Sequence, residues 1–221
     1  MPLRVFAAAS LTDLLTAVEI AYEELHPAVD LRIHLAGSNE LCEQLLAGAR
    51  AELFFPASNA EMRRVEEAGL LDGDIERLFS NRLVWVRAEG AAEGDLKRFA
   101  LADPQAVPAG RYAKQWLEGL GEWERVEAKV APSPNVRAAL ALLTAGAAQE
   151  GVLYASDLQS AGGLTRVREQ TSEELPTITY PGAVLRDSGA EARVFLRWMA
   201  DSIEAETLAN SARFRPAAPV S

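Results

Sequence analysis

The chain has little from which to build a metal centre or a disulfide. It holds one cysteine, Cys42, and two histidines, His26 and His34, in 221 residues. A single thiol excludes an internal disulfide and any thiolate cluster. Cys42 sits in an apolar helical pattern with Leu41, Leu45 and Leu46, which makes it a packed structural thiol. His34 lies in an alternating stretch that reads as a strand and His26 precedes Pro27 in a turn, so both are read as structural. No run of about 18 uncharged apolar residues occurs, so no helix is expected to enter a membrane. GxSxG, HExxH and P-loop patterns are absent as well, which disfavours triad hydrolases and zinc peptidases. Bases are scarce: 22 Lys and Arg against 32 Asp and Glu give a formal net charge of −10. Nucleic acid needs concentrated bases to displace counterions from phosphates, so it is excluded as a partner. The same charge opposes long-range attraction of anions, so an anionic ligand must be bound by local donors.

What is present is ordinary for a folded chain: 49% hydrophobic and 24% charged residues. The start, Met1-Pro2-Leu3-Arg4-Val5-Phe6, runs directly into a strand pattern without a signal peptide. That leaves either a cytoplasmic protein or one whose leader has been removed and replaced by Met1. Strand and helix periodicities then alternate. Residues 3–9, 29–35 and 53–55 read as strands, and residues 12–25, 41–47 and 59–68 as helices. A second set follows, with strands at 83–86, 99–102, 127–130 and 152–154 and helices at 110–120 and 135–145. A polar segment (161–174), a stretch at 177–185 and an amphipathic helix at 190–199 complete it, and residues 214–221 read as an extended surface tail. Such alternation demands parallel strands with right-handed crossovers. The fold class expected is therefore α/β, in two halves of similar size with mostly parallel sheets and no Ser/Gly linker between them.

In open α/β sheets, ligands bind beyond the carboxyl ends of strands. Free N–H groups and the positive end of the helix dipole meet there, which suits an anion. Two junctions in the first half carry small donor residues: Ala7-Ala8-Ala9-Ser10-Leu11-Thr12 and Ala36-Gly37-Ser38-Asn39-Glu40-Leu41. Ser10 and Ser38 could each offer a hydroxyl and an N–H, but serine is also favoured as a plain helix N-cap. In the second half, Val107-Pro108-Ala109-Gly110-Arg111-Tyr112 exposes backbone donors near Ala109. Pro132-Ser133-Pro134-Asn135-Val136-Arg137 opens another helix, with Asn135 as cap and Val136 as its first residue. Tyr154 ends an apolar strand, where the competing reading is a core aromatic with a wet hydroxyl. Arg137 is read as a salt-bridge residue rather than a cationic ligand.

Together these segments resemble the periplasmic molybdate-binding proteins of bacterial uptake systems, which have the two-lobed type II periplasmic-binding fold. The resemblance rests on Val5-Phe6-Ala7-Ala8-Ala9-Ser10-Leu11-Thr12, Gly37-Ser38 with Leu41, Asn81-Arg82-Leu83-Val84 and Val107-Pro108-Ala109-Gly110-Arg111-Tyr112-Ala113-Lys114. It continues through Val136-Arg137-Ala138-Ala139-Leu140-Ala141-Leu142, Tyr154 and Tyr180-Pro181, and so covers nearly the whole chain. It implies lobes formed by residues 1–81 with 180–221 and by 82–179, and an anion held in the cleft between them. The shell implied is the hydroxyls and N–H groups of Ser10 and Ser38, the N–H groups of Ala109 and Val136, and the hydroxyl of Tyr154. Molybdenum would enter only as molybdate, or tungsten as tungstate, without direct protein–metal bonds.

The resemblance further implies a monomeric, periplasmic carrier that closes about a hinge near residues 81–83 and 179–181 and delivers its ligand to an ABC transporter permease. No catalysis and no cofactor are expected. The alternatives are a ligand-sensing domain or a carrier of another oxyanion such as sulfate. Three positions depart from the family pattern: Glu40, expected to face solvent, and Glu52 and Asn59, which put surface contacts with the permease in question.

Overall fold

The computed structural model describes residues 2–159, 161–174 and 176–216. The chain divides into two compact units, Met1–Ser80 with Thr179–Ser221 and Asn81–Ile178, so it passes between them twice.

In the first unit, β1 (Leu3–Ala8), β2 (Leu31–Ala36) and β3 (Leu53–Phe55) alternate with α1 (Thr12–Leu25), α2 (Ser38–Leu46) and α3 (Asn59–Glu67). β1 lies parallel to both β2 and β3, with Ala8 opposite Ala36. β4 (Glu76–Asn81) then joins the sheet. Burial decides why these segments pair. Val5, Ala7, Leu53, Phe54 and Phe55 are buried on both faces of the sheet, as a central strand covered by helices requires. Under α2 and α3, Leu41, Cys42, Leu45, Met62 and Val65 form a core with Phe54 and Ala183. Cys42 is a packed thiol there, and burial pushes its pKa up. His34 faces outward from β2 against the Phe6 ring, and His26 stacks on Tyr22, both structural positions.

The second unit holds β5 (Leu83–Ala88), β6 (Phe99–Ala102), α4 (Pro108–Gly119), α5 (Trp123–Val126), β7 (Val130–Ser133), α6 (Val136–Thr144), β8 (Glu150–Tyr154) and β9 (Leu164–Glu169). Its sheet runs β7-β6-β8-β5-β9. The chain then returns through β10 (Ile178–Val184) to α7 (Ala190–Asp201), α8 (Ile203–Ser211) and β11 (Arg215–Pro216). The first sheet thereby reaches the order β11-β4-β10-β3-β1-β2.

The two-lobed α/β fold is therefore present, and the sheets are mixed rather than mostly parallel. β10 runs antiparallel to β3, and β5 antiparallel to both β8 and β9. Residues 127–129 form a 3-10 turn, and the strand expected at 127–130 begins only at Val130. β7 contains Pro132 and stays in the sheet because it is an edge strand, where a missing N–H costs no ladder bond. β9 lies in the segment read as polar; it is also an edge strand, mostly exposed, and shows no apolar face to read. Phe214 is buried against Phe79 and Tyr180 rather than in a surface tail. Met1 and residues 217–221 lie outside the described residues. Among the described residues no helix is long and apolar enough to cross a membrane, and no group of three or more His, Cys, Asp or Glu is placed to hold a metal.

Candidate oxyanion-binding residues

Ser10 and Ser38 follow neighbouring parallel strands. Ala8 and Ala36 are paired, and each serine lies two residues further on. Neighbouring strands are about 4.8 Å apart, so the register alone brings the two serines to adjacent places on one edge of the sheet. Neither is a helix N-cap. Ser10 lies inside a 3-10 turn, Ala9–Leu11, whose carbonyl at Ala9 accepts the Thr12 hydroxyl at 2.6 Å. Leu11 caps α1 without a side-chain bond. Gly37 caps α2, and Ser38 is its first residue. The capping explanation for both serines therefore fails. α3 shows the contrast, with Ser58 accepting the Ala60 N–H at 3.1 Å.

Both serines are nearly sealed, at 3% exposure, and each hydroxyl is engaged from within its own unit. The Ala57 N–H donates to Ser38 Oγ at 3.0 Å. A hydroxyl oxygen that accepts an amide N–H keeps its own proton for another acceptor. Ser10 Oγ lies 2.9 Å from the hydroxyl of Tyr180, a residue of β10. The first N–H groups of a helix have no acceptor inside it, and neither α2 nor the turn at Ala9 has a side-chain cap. The site edge of this unit is thus rich in donors. The one acid in the first turn of α2, Glu40, is exposed and bonded to Gln44 at 3.2 Å.

In the second unit, β6 and β7 run parallel with Ala102 opposite Ser133, and each feeds a helix. Pro108 is the first residue of α4 and has no N–H, so Ala109 carries the first free donor of that helix. No side chain caps α4. Gly110 holds the helix against the end of β6; a Cβ there would lie 2.2 Å from the Ala102 carbonyl oxygen. At α6 the Asn135 side chain accepts the Ala138 N–H at 2.9 Å, which satisfies the third residue and leaves the Val136 amide at the very start. Tyr154 ends β8, parallel to β6, and is 1% exposed. Its N–H donates to Asp157 at 3.1 Å, and the sealed Asp157 carboxylate is 3.1 Å from Arg137. Arg137 is therefore committed to an ion pair. Sequence reasoning misses the pairing of Asp157 with Arg137 and of Tyr180 with Ser10, because both depend on the chain folding back.

Glu52 and Asn59 fall outside these edges. Glu52 takes the Arg4 backbone N–H at 2.7 Å and the Arg4 guanidinium at 2.7 and 3.2 Å. Burial alone would raise its pKa, but the bonds and charge of Arg4 outweigh that and hold the carboxyl below its ordinary range. Asn59 is the exposed first residue of α3. A cavity of about 520 Å³ lined by Arg4, Glu52, Arg50 and Arg186 lies at the amino ends of β1 and β3, away from the serines.

A family model described as bacterial extracellular solute-binding protein matches residues 3–211. The chain belongs to that family. It is 33% identical over 196 residues to the molybdate-binding protein ModA of Escherichia coli strain K12, a match spanning 82% of this chain and 76% of that one. To the ModA of Haemophilus influenzae it is 31% identical over 210 residues, or 88% and 83% of the two chains. Its fold is also that of the periplasmic molybdate-binding protein of Azotobacter vinelandii, with a TM-score of 0.86 over 99% of this chain and 100% of the other at 17% identity. These family relatives are solute-binding proteins rather than enzymes.

Proposed function

We propose that this family member is an extracytoplasmic receptor that captures molybdate, or tungstate, and delivers it to an ABC transporter permease. The observation that carries the reading is that the five positions offer hydroxyls and backbone N–H groups and no carboxylate. Ser10 and Ser38 lie at the carboxyl ends of β1 and β2, and Ala109, Val136 and Tyr154 at those of β6, β7 and β8. A fully deprotonated tetrahedral dianion needs donors alone, and a carboxylate among them would repel it. Hydrogen bonds to charged groups contribute roughly 1.5–3 kcal/mol each. Several of them, less the costs of desolvation and ordering, leave about 8–12 kcal/mol, which is micromolar to nanomolar affinity. The relatives named as molybdate-binding proteins supply the identity of the dianion.

In this reading the anion selects, by its differential affinity, the conformation that the permease reads. One chain supplies all five positions, so a monomer suffices and no cofactor is needed. None of the five positions is a base or an activated nucleophile, which supports a carrier rather than an enzyme.

The test is calorimetry of the purified protein with molybdate, tungstate, sulfate and phosphate. A dissociation constant of micromolar or tighter for molybdate and tungstate is expected, with no heat from phosphate. Absence of heat with both group-six oxyanions would refute the reading, and preference for sulfate would reassign the cargo.

A further inference from the structure

We propose that Tyr180 is a positioning residue that sets the polarity of the Ser10 hydroxyl: it donates its phenolic proton to Ser10 Oγ and so turns the serine proton onto the bound oxyanion. The inference rests on the function proposed above. Its observation is the 2.9 Å contact between two sealed hydroxyls that are 170 residues apart in sequence. Geometry alone allows either oxygen to donate, and chemistry decides. A phenol is a stronger acid than an aliphatic alcohol, hence the better donor. Beside a dianion, the arrangement Tyr–OH to Ser–OH to anion aligns both dipoles with the charge, and each bond polarises the next. The reverse arrangement would aim a serine lone pair at the dianion.

The second serine shows the same polarity without ambiguity. Ser38 Oγ accepts from the Ala57 N–H, a group that can only donate. Both serines would then present protons to the ligand while their oxygens are occupied from inside the unit. An oxyanion that carries a proton of its own finds no acceptor for that proton in such a pair. Packing fixes Tyr180 in place, since it is 0% exposed on β10 and the Phe214 ring meets it edge-on at 5.2 Å.

The experiment is a double-mutant cycle read by molybdate calorimetry on wild type, Tyr180→Phe, Ser10→Ala and the double variant. Tyr180→Phe should weaken binding roughly three- to tenfold, the worth of one polarising bond. In the Ser10→Ala background the same change should do nothing further. Unchanged affinity in Tyr180→Phe overturns the inference, and so does a loss that multiplies with that of Ser10→Ala, since Tyr180 would then act on the fold. Site-specific 3-fluorotyrosine at position 180 keeps the shape and strengthens the donor. It should tighten molybdate binding, and unchanged or weaker binding overturns the inference even if Tyr180→Phe fails to fold. Silence of the wild type toward molybdate would instead sink the function proposed above, and this inference with it.

Discussion

At the scale of single residues, the sequence locates donors and the structure shows what they are tied to. Ser10 and Ser38 stand out in sequence because small residues follow a strand and precede a helix. Their partners do not, since Tyr180 and Ala57 reach them only after the chain has folded. Ser38→Ala should weaken molybdate binding by about 1–3 kcal/mol through one lost charge-assisted bond. Unaltered affinity by calorimetry would remove Ser38 from the shell. Glu52 gives a prediction in pH. Its folded pKa lies below the ordinary value of 4.5, so the stability it contributes is fully present above that value. That stability is lost as pH falls through the folded pKa. Glu52→Gln should therefore cost roughly 1 kcal/mol at neutral pH, a modest figure because Arg4 is partly exposed. The gap between the urea curves of variant and wild type should close in acid; a gap that persists would show that packing, not charge, is responsible.

At the scale of elements, helices with long apolar periods were legible, and α1 matches its expected span, residues 12–25. β9 and α8 were not. β9 is a mostly exposed edge strand whose alternation separates no apolar face from a polar one, and α8 buries only Ala205 and Ala209. Their place comes from neighbours rather than from their own pattern. Gly110 illustrates the same dependence. Alanine in a helix interior is normally worth about 1 kcal/mol more than glycine. Here its Cβ would meet the Ala102 and Asp103 carbonyl oxygens at 2.2 and 2.3 Å. Gly110→Ala should therefore destabilise by about 1–3 kcal/mol and push α4, with the Ala109 amide, away from β6. A thermal melt at or above the wild-type midpoint would contradict this packing.

At the scale of the whole molecule, binding and stability are linked. If the proposed dianion binds the folded chain alone, molybdate at about 100 times its dissociation constant should add about 2.7 kcal/mol to unfolding. For a chain of this size that is a rise of roughly 5–10 °C in the melting midpoint, readable by calorimetric scans, with no comparable rise from phosphate. The sequence by itself determined the α/β class, the order of most helices and strands, and the junctions where donors gather, because period, cap and turn chemistry act over a few residues. Only the tertiary structure decided that the sheets are mixed, that Glu52 is spent on Arg4, that Arg137 is spent on Asp157, and that Tyr180 stands against Ser10. Those outcomes depend on which distant segments come to lie side by side, and local periodicity carries no record of that.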